Sequence, residues 1–122
     1  MDATLDLLLK AELPAAPTKE IRIKRLSEMC GGDILFSLRA LSYSRVAEIK
    51  ETSSEDMQIH ILLAGVTAPN LKDPSLLEKY HAVTPVELVK AMLLPGEIED
   101  VSREIERLSG YRGNTIEDVK KK

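Results

Sequence analysis

Cysteine occurs once in this chain, at Cys30. A single thiol excludes an internal disulfide and any multi-cysteine metal knuckle, and it suits a reducing compartment. Aromatic rings are nearly as scarce, with one Phe, three Tyr and no Trp. Base-stacking platforms and sugar-stacking clefts need exposed rings, so neither is expected. Only two histidines are present, His60 and His81. With Cys30 they make three widely spaced N/S ligands, fewer than a structural zinc site requires. Charge of one sign does not dominate either: 17 Lys plus Arg face 20 Asp plus Glu, for a net charge of -3. No global field therefore draws the chain to nucleic acid or to anionic lipid. The longest apolar run, Ile61 to Ala64 with Gly65 and Val66 after it, is far too short to span a bilayer. The leucines at 7 to 9 follow Asp2 and Asp6 with no basic stretch before them, which argues against a signal peptide.

What is present describes a small globular protein. The 122 residues suit one core, and 43% hydrophobic with 30% charged residues is an ordinary balance for a water-soluble domain. The pattern reads as α+β: a single, mostly helical domain with a β-hairpin in its N-terminal half and about five or six helices. Four segments are expected: an amphipathic helical arm at 1–13, a proline-containing linker at 14–19, a compact α+β domain at 20–110 and a flexible tail at 111–122.

In the arm, Leu5, Leu8, Leu9 and Glu12 recur at i, i+3, i+4 and i+7, a narrow stripe two turns long. Such a short helix is marginal in water unless it docks. Pro14 and Pro17 then favour an extended strap over continued helix. The arm either folds back onto its own core or docks on a partner, and the residues leave both readings open. EIRIKRL at 20–26 alternates apolar and charged residues, as does Ile34 to Ala40. Between them Gly31 and Gly32 are expected to supply the positive-φ positions of a hairpin reversal. The cations Lys19, Arg22, Lys24 and Arg25 read as a solvated strand face, because no aromatics accompany them.

Helices follow. Ser42 caps one whose inward stripe is Tyr43, Val46, Ala47 and Ile49 with Lys50. Ser53 or Ser54 caps the next, with Glu55 and Asp56 in its first turn. MQIHILLAGV fits a strand or a buried helix, and Gly65 as a stop favours the helix. His60 in this run reads as an ordinary core-side histidine. TAPNLKDP is a loop that ends in a cap at Asp73 with Pro74 at the first helical position. Thr84, Pro85 and Glu87 form a capping box, in which Glu87 reaches back to the Thr84 amide. That helix presents Leu88, Val89, Met92 and Leu93 and stops at a corner made by Pro95 and Gly96. The last helix carries the stripe Ile98, Val101, Ile105 and Leu108, with a Glu99–Arg103 pair, and ends at Gly110.

No catalytic constellation emerges, so no enzyme and no cofactor are expected. Nucleophilic catalysis needs a base beside the nucleophile, and neither histidine is near Cys30 in sequence. The chain has no GxxxxGK[ST], GxGxxG or HExxH motif. Acidic pairs such as Glu99–Asp100 are adjacent on helices and point apart. A helix-turn-helix across Thr84 to Leu108 is the competing reading, that of a small DNA-binding or regulatory prophage protein. Glu97, Glu99 and Asp100 give its would-be recognition helix the wrong charge.

Several strings carry a resemblance when taken in order: Gly65 with Pro69–Asn70–Leu71, Thr84–Pro85 with Glu87–Leu88, Leu94 to Ile98, and Leu108 to Tyr111. Together with KEIRIKRLSE and LRALSYSRVAEI they make residues 12 to 111 resemble the XkdN-like tail assembly chaperones of Gram-positive phages and prophages. The resemblance implies a non-enzymatic protein of the bacterial host cytoplasm, encoded beside the tape measure protein. It implies binding to that long helical protein and recruitment of tail tube protein, while charge and hydropathy leave no nucleic-acid or membrane partner expected. Self-association stays open, as do the roles of Cys30, His60 and His81. It also implies that this chain is the short form, or the N-terminal domain, of a frameshifted pair. The family brings no catalytic residues, so its motif positions read as caps and turns. A chaperone needs accessible apolar surface. Leu5, Leu8 and Leu9 are the first candidates for it, and Leu93 with Leu94 at the Pro95 corner are the second.

Overall fold

The computed structural model describes residues 2–13, 15–52 and 55–119. The elements follow in the order α1 (Ala3–Lys10), β1 (Thr18–Arg22), α2 (Lys24–Cys30), β2 (Leu35–Arg39), α3 (Tyr43–Thr52), α4 (Met57–Gly65), β3 (Val66–Ala68), α5 (Pro74–Lys79), α6 (Pro85–Met92) and α7 (Pro95–Leu108). The expected mostly helical α+β class holds, with seven helices and three strands among the described residues.

The strands form one antiparallel sheet in the order β1-β2-β3. Thr18 pairs with Arg39 and Arg22 with Leu35, so β1 and β2 are the expected hairpin partners. Their boundaries differ from the sequence reading. The ladder closes where the Ile23 amide donates to the Ile34 carbonyl at 2.9 Å, and the chain then enters α2. The alternation in EIRIKRL is ambiguous because Ile23 and Leu26 are also i, i+3 neighbours on a helix. Both are buried. Ser27, also buried, ties this helix into the hairpin. Its hydroxyl donates to the Ile23 carbonyl at 2.8 Å and accepts from the Ile34 amide at 2.9 Å. Gly31 caps α2 in the left-handed region at φ 71, whereas Gly32 is not at positive φ. The reversal is therefore a helix with one glycine cap, not a two-glycine turn. The third strand was not foreseen. β3 pairs with β2 through Ser37 opposite Ala68 and Leu38 opposite Val66, across an irregularity in register. A cis peptide joins Ala68 to Pro69 just beyond it.

β2 is the centre of the sheet. Phe36 and Leu38 are buried on the side that meets α7, while Leu35 and Arg39 are exposed on the other. A one-sided antiparallel sheet of this kind shows period-two alternation most clearly in its central strand.

α4 is the hub of the helical layer, packing on α7, α3 and α6 and running straight into β3. Ile59, Ile61 and Leu62 are buried in it, which leaves almost no polar face. That is why periodicity alone did not separate helix from strand here. The helix begins at Met57, so Glu55 and Asp56 precede it and do not form its first turn. Asp56 sits in the left-handed region at φ 56 with no side-chain cap bond. The expected cap at Ser53 or Ser54 lies outside the described residues. In α3, the Ser42 hydroxyl accepts from the Arg45 amide at 3.2 Å as expected. Ile49 is buried, but Tyr43 projects into solvent at 89% exposure and leaves the inward stripe.

Gly65 ends α4, as expected, but its role lies in packing. A Cβ at Gly65 would stand 2.6 Å from both Cδ1 and Cγ2 of Ile105 on α7. Ile105 is fully buried and cannot withdraw. Gly65→Ala should therefore cost about 1–3 kcal/mol through overpacking. Chemical denaturation of the variant measures this, and an unchanged midpoint would contradict the close α4–α7 approach.

Candidate partner-binding surface

The two prolines, the caps and the exposed leucines set where another chain could bind. In α1, Asp2 caps the helix, its carboxylate accepting from the Thr4 amide at 3.0 Å and the Leu5 amide at 3.2 Å. This cap, Asp6 in the first turn and Lys10 in the last complement the helix dipole. No residue of α1 is buried. Leu5 is 51% exposed, and Leu7, Leu8 and Leu9 about 70%, at 71%, 69% and 73%. The leucines thus lie on an arm that does not contribute to the core. The described residues of the strap after it are exposed too, with Leu13 97% accessible, and the chain rejoins the fold where the Pro17 carbonyl accepts from the Ala40 amide at 2.9 Å.

The second expected surface is half lost. Leu93 is 3% exposed and belongs to the core, while Leu94 is 52% exposed. The reason is the shape of the corner. α6 ends at Met92 and α7 already begins at Pro95. Pro95 and Gly96 therefore form the first turn of α7, and the joint between the helices is Leu93–Leu94. One of those two side chains must turn inward.

The helix ends around this corner explain the motif residues. The Thr84 hydroxyl accepts from the Glu87 amide at 3.2 Å, with Pro85 at the first helical position. Glu87 reaches one residue further back than expected. Its carboxylate accepts from the Val83 amide at 2.7 Å rather than from Thr84. Glu97 plays the same part at the next start, accepting from the Leu94 amide at 2.7 Å. Gly110 lies at φ 97 beyond the end of α7, where its amide donates to the Arg107 carbonyl at 3.0 Å. The Tyr111 amide donates to Glu106 in the same turn.

Glu97 also does what sequence reasoning missed. Arg25 of α2 grips it with two bonds, Nε to Oε2 at 3.1 Å and Nη2 to Oε1 at 2.8 Å, while Nη2 also donates to the Met92 carbonyl at 2.9 Å. This forked pair fastens the helix inside the hairpin to the α6–α7 corner. Two other cations of the supposed basic face are likewise paired, Lys19 with Glu104 at 3.4 Å and Arg22 with Asp33 at 2.9 Å. Three of the four cations thus tie segments together instead of forming a merely solvated face. Residues 72 positions apart cannot be matched from spacing, so no local signal could have found the Arg25–Glu97 pair.

A furrow runs between α3 and the end of α7. Its wider part, about 700 Å³, is lined by Ala16, Pro17, Arg39, Leu41, Arg45 and Leu108. The narrower part, about 250 Å³, is floored by Val46, Ile49, Met57 and Ile61 and edged by Lys50 and Tyr111. The Leu41 amide donates to the Ser109 hydroxyl at 2.9 Å where the two parts meet. The Lys50 ammonium stands 6.0 Å from the centre of the Tyr111 ring.

Among the described residues, no three His, Cys, Asp or Glu side chains gather as a metal site. Cys30 is exposed at the end of α2, His60 is part-buried in α4, and His81 lies between α5 and α6 at φ 54. No described helix is long and apolar enough to cross a membrane.

Comparison with known proteins fits this arrangement. Residues 5–121 match the phage XkdN-like tail assembly chaperone family, so the chain belongs to that family. A crystal structure of the protein YqbN shares the fold, with a TM-score of 0.68 and 22% sequence identity over 86% of this chain and 94% of that one. No curated protein matches the sequence.

The Arg25–Glu97 grip makes a pH prediction. Bonds from Arg25, then the Leu94 amide and the guanidinium charge, hold the Glu97 carboxyl below its ordinary value of 4.5 against the opposing effect of burial. A lowered folded-state value stabilises the fold above the unfolded value, and that contribution is lost as pH falls through the folded one. Wild type should therefore melt higher than Glu97→Gln at pH 7, with the gap closing below about pH 4.5. A gap that stays constant down to pH 3 would refute the assignment.

Proposed function

We propose that this chain is a non-enzymatic chaperone of phage tail morphogenesis, acting in the bacterial host cytoplasm. It binds the tape measure protein and helps recruit tail tube subunits to it. The observation that carries this reading is α1, a capped helix whose leucines stand in solvent on a proline-containing strap. A folded protein does not gain stability by exposing four leucines on two helical turns. The tape measure protein is the long helical client that membership of the family suggests, and amphipathic helices bind one another by seating leucines in a groove. Leu94, half exposed at the α6–α7 corner, adds a second contact.

The DNA-binding alternative finds less support. Lys19, Arg22 and Arg25 are engaged with carboxylates, and Glu97 opens the helix that would enter the groove.

Removal of residues 1–13 tests the reading, with the tape measure protein as bait in a pull-down and its affinity measured by titration. Full burial of one leucine is worth about 1.5–3 kcal/mol, or about ten- to a hundredfold in Kd. Loss of the arm should weaken client binding by at least about tenfold. Undiminished binding by the truncated chain would reject α1 as the client-binding element.

A further inference from the structure

We propose that α1 of one copy docks in the α3–α7 furrow of a second copy, so that the free protein forms an arm-exchanged dimer. This inference does not depend on which client the protein serves. Three observations carry it.

The first is chemical fit. α1 offers leucines and no aromatic residue, and the furrow offers an apolar floor of Leu41, Val46, Ile49, Met57, Ile61 and Leu108. The second is charge. Asp2, Asp6 and Glu12 outnumber Lys10 on the arm, whereas the furrow is edged by Arg39, Arg45, Lys50 and Arg112. Glu48 pairs with Arg45 at 3.2 Å and Glu106 with Arg112 at 2.8 Å, which offsets two of these cations. Arg39 and Lys50 have no carboxylate within ion-pair range among the described residues, so the edge keeps a positive excess. The third is the strap. Residues 11–17 separate α1 from β1, and at about 3.1 Å per residue an extended strap of that length reaches about 20 Å. Ala15, Ala16 and Pro17 form a wall of the furrow itself, so the arm leaves directly from the site. A proline at 14 and another at 17 hold the residues before them extended. Leaving in an extended path carries it to a neighbour, and two-fold exchange satisfies both furrows at once.

The test uses the full chain with Cys30→Ser, into which Leu9→Cys and Arg45→Cys are introduced. Under mild oxidation the expected product is a covalent dimer. A covalent monomer, meaning that the arm folds onto its own furrow, overturns the proposal, and so does the absence of any cross-link. Light scattering on the chain without added cysteines supplies the second measurement. The free protein should be dimeric at micromolar concentration. Leu8→Asp on the arm, an exposed position that spares the core, should make it monomeric. Arg39→Glu with Lys50→Glu should raise the dimer dissociation constant about tenfold at low salt, with a smaller effect in high salt. A protein that is monomeric throughout, or a dimer indifferent to Leu8→Asp, sinks the idea.

Discussion

The fold depends on one close approach, between the end of α4 and the last turns of α7. At Gly65 the absence of a side chain lets the Ile105 methyl groups reach the α4 backbone, and no Cβ would fit there. Everything else is arranged around that contact. α4 carries buried residues on nearly all sides, and it can do so only because α7, α6 and α3 enclose it. Its last residue hands the chain straight into β3, so the same glycine also sets where the third strand joins the sheet. Close packing of this kind is intolerant of added volume and specifies a single arrangement of the helices.

On the opposite side, polar tethers finish what apolar packing begins. The hairpin does not close through a tight turn but through a short helix that Ser27 ties to Ile34 at the entry to β2. Arg25 then carries that helix to Glu97 and Met92, joining the N-terminal half of the chain to the α6–α7 corner. Partial exposure of both partners means that solvent screens the pair, so its value lies in registering elements more than in stability. Membership of the tail assembly chaperone family gives this economy a sense. The arm gathers four exposed leucines within five positions, whereas exposed apolar residues of the body such as Met29, Tyr43, Val83 and Leu94 are scattered.

Local chemistry was largely legible. Ser42, Asp73 and Thr84 mark helix starts and Gly110 an end in the sequence alone, since caps depend on neighbours within four residues. The alternation in Ile34 to Ala40 marked the central strand, and the stripe of α7 marked its buried face. The misreadings share a cause. EIRIKRL satisfies both a strand and a helix period, and only the pairing of Ile23 with Ile34 decides between them. β3 is three residues long and has no pattern of its own, so it exists only because β2 offers an edge. Leu93 and Leu94 are identical in sequence terms, yet the corner buries one and exposes the other.

The amino-acid sequence by itself determined the fold class, most helix boundaries and the presence of a leucine-rich N-terminal helix, because each follows from interactions within a few residues. The tertiary structure alone decided which faces remain open. Whether a leucine is core or surface depends on what lies opposite it, and partners such as Gly65 with Ile105, or Arg25 with Glu97, meet only when distant segments come together. The furrow between α3 and α7 is a product of that assembly, formed by side chains whose sequence neighbours say nothing of one another.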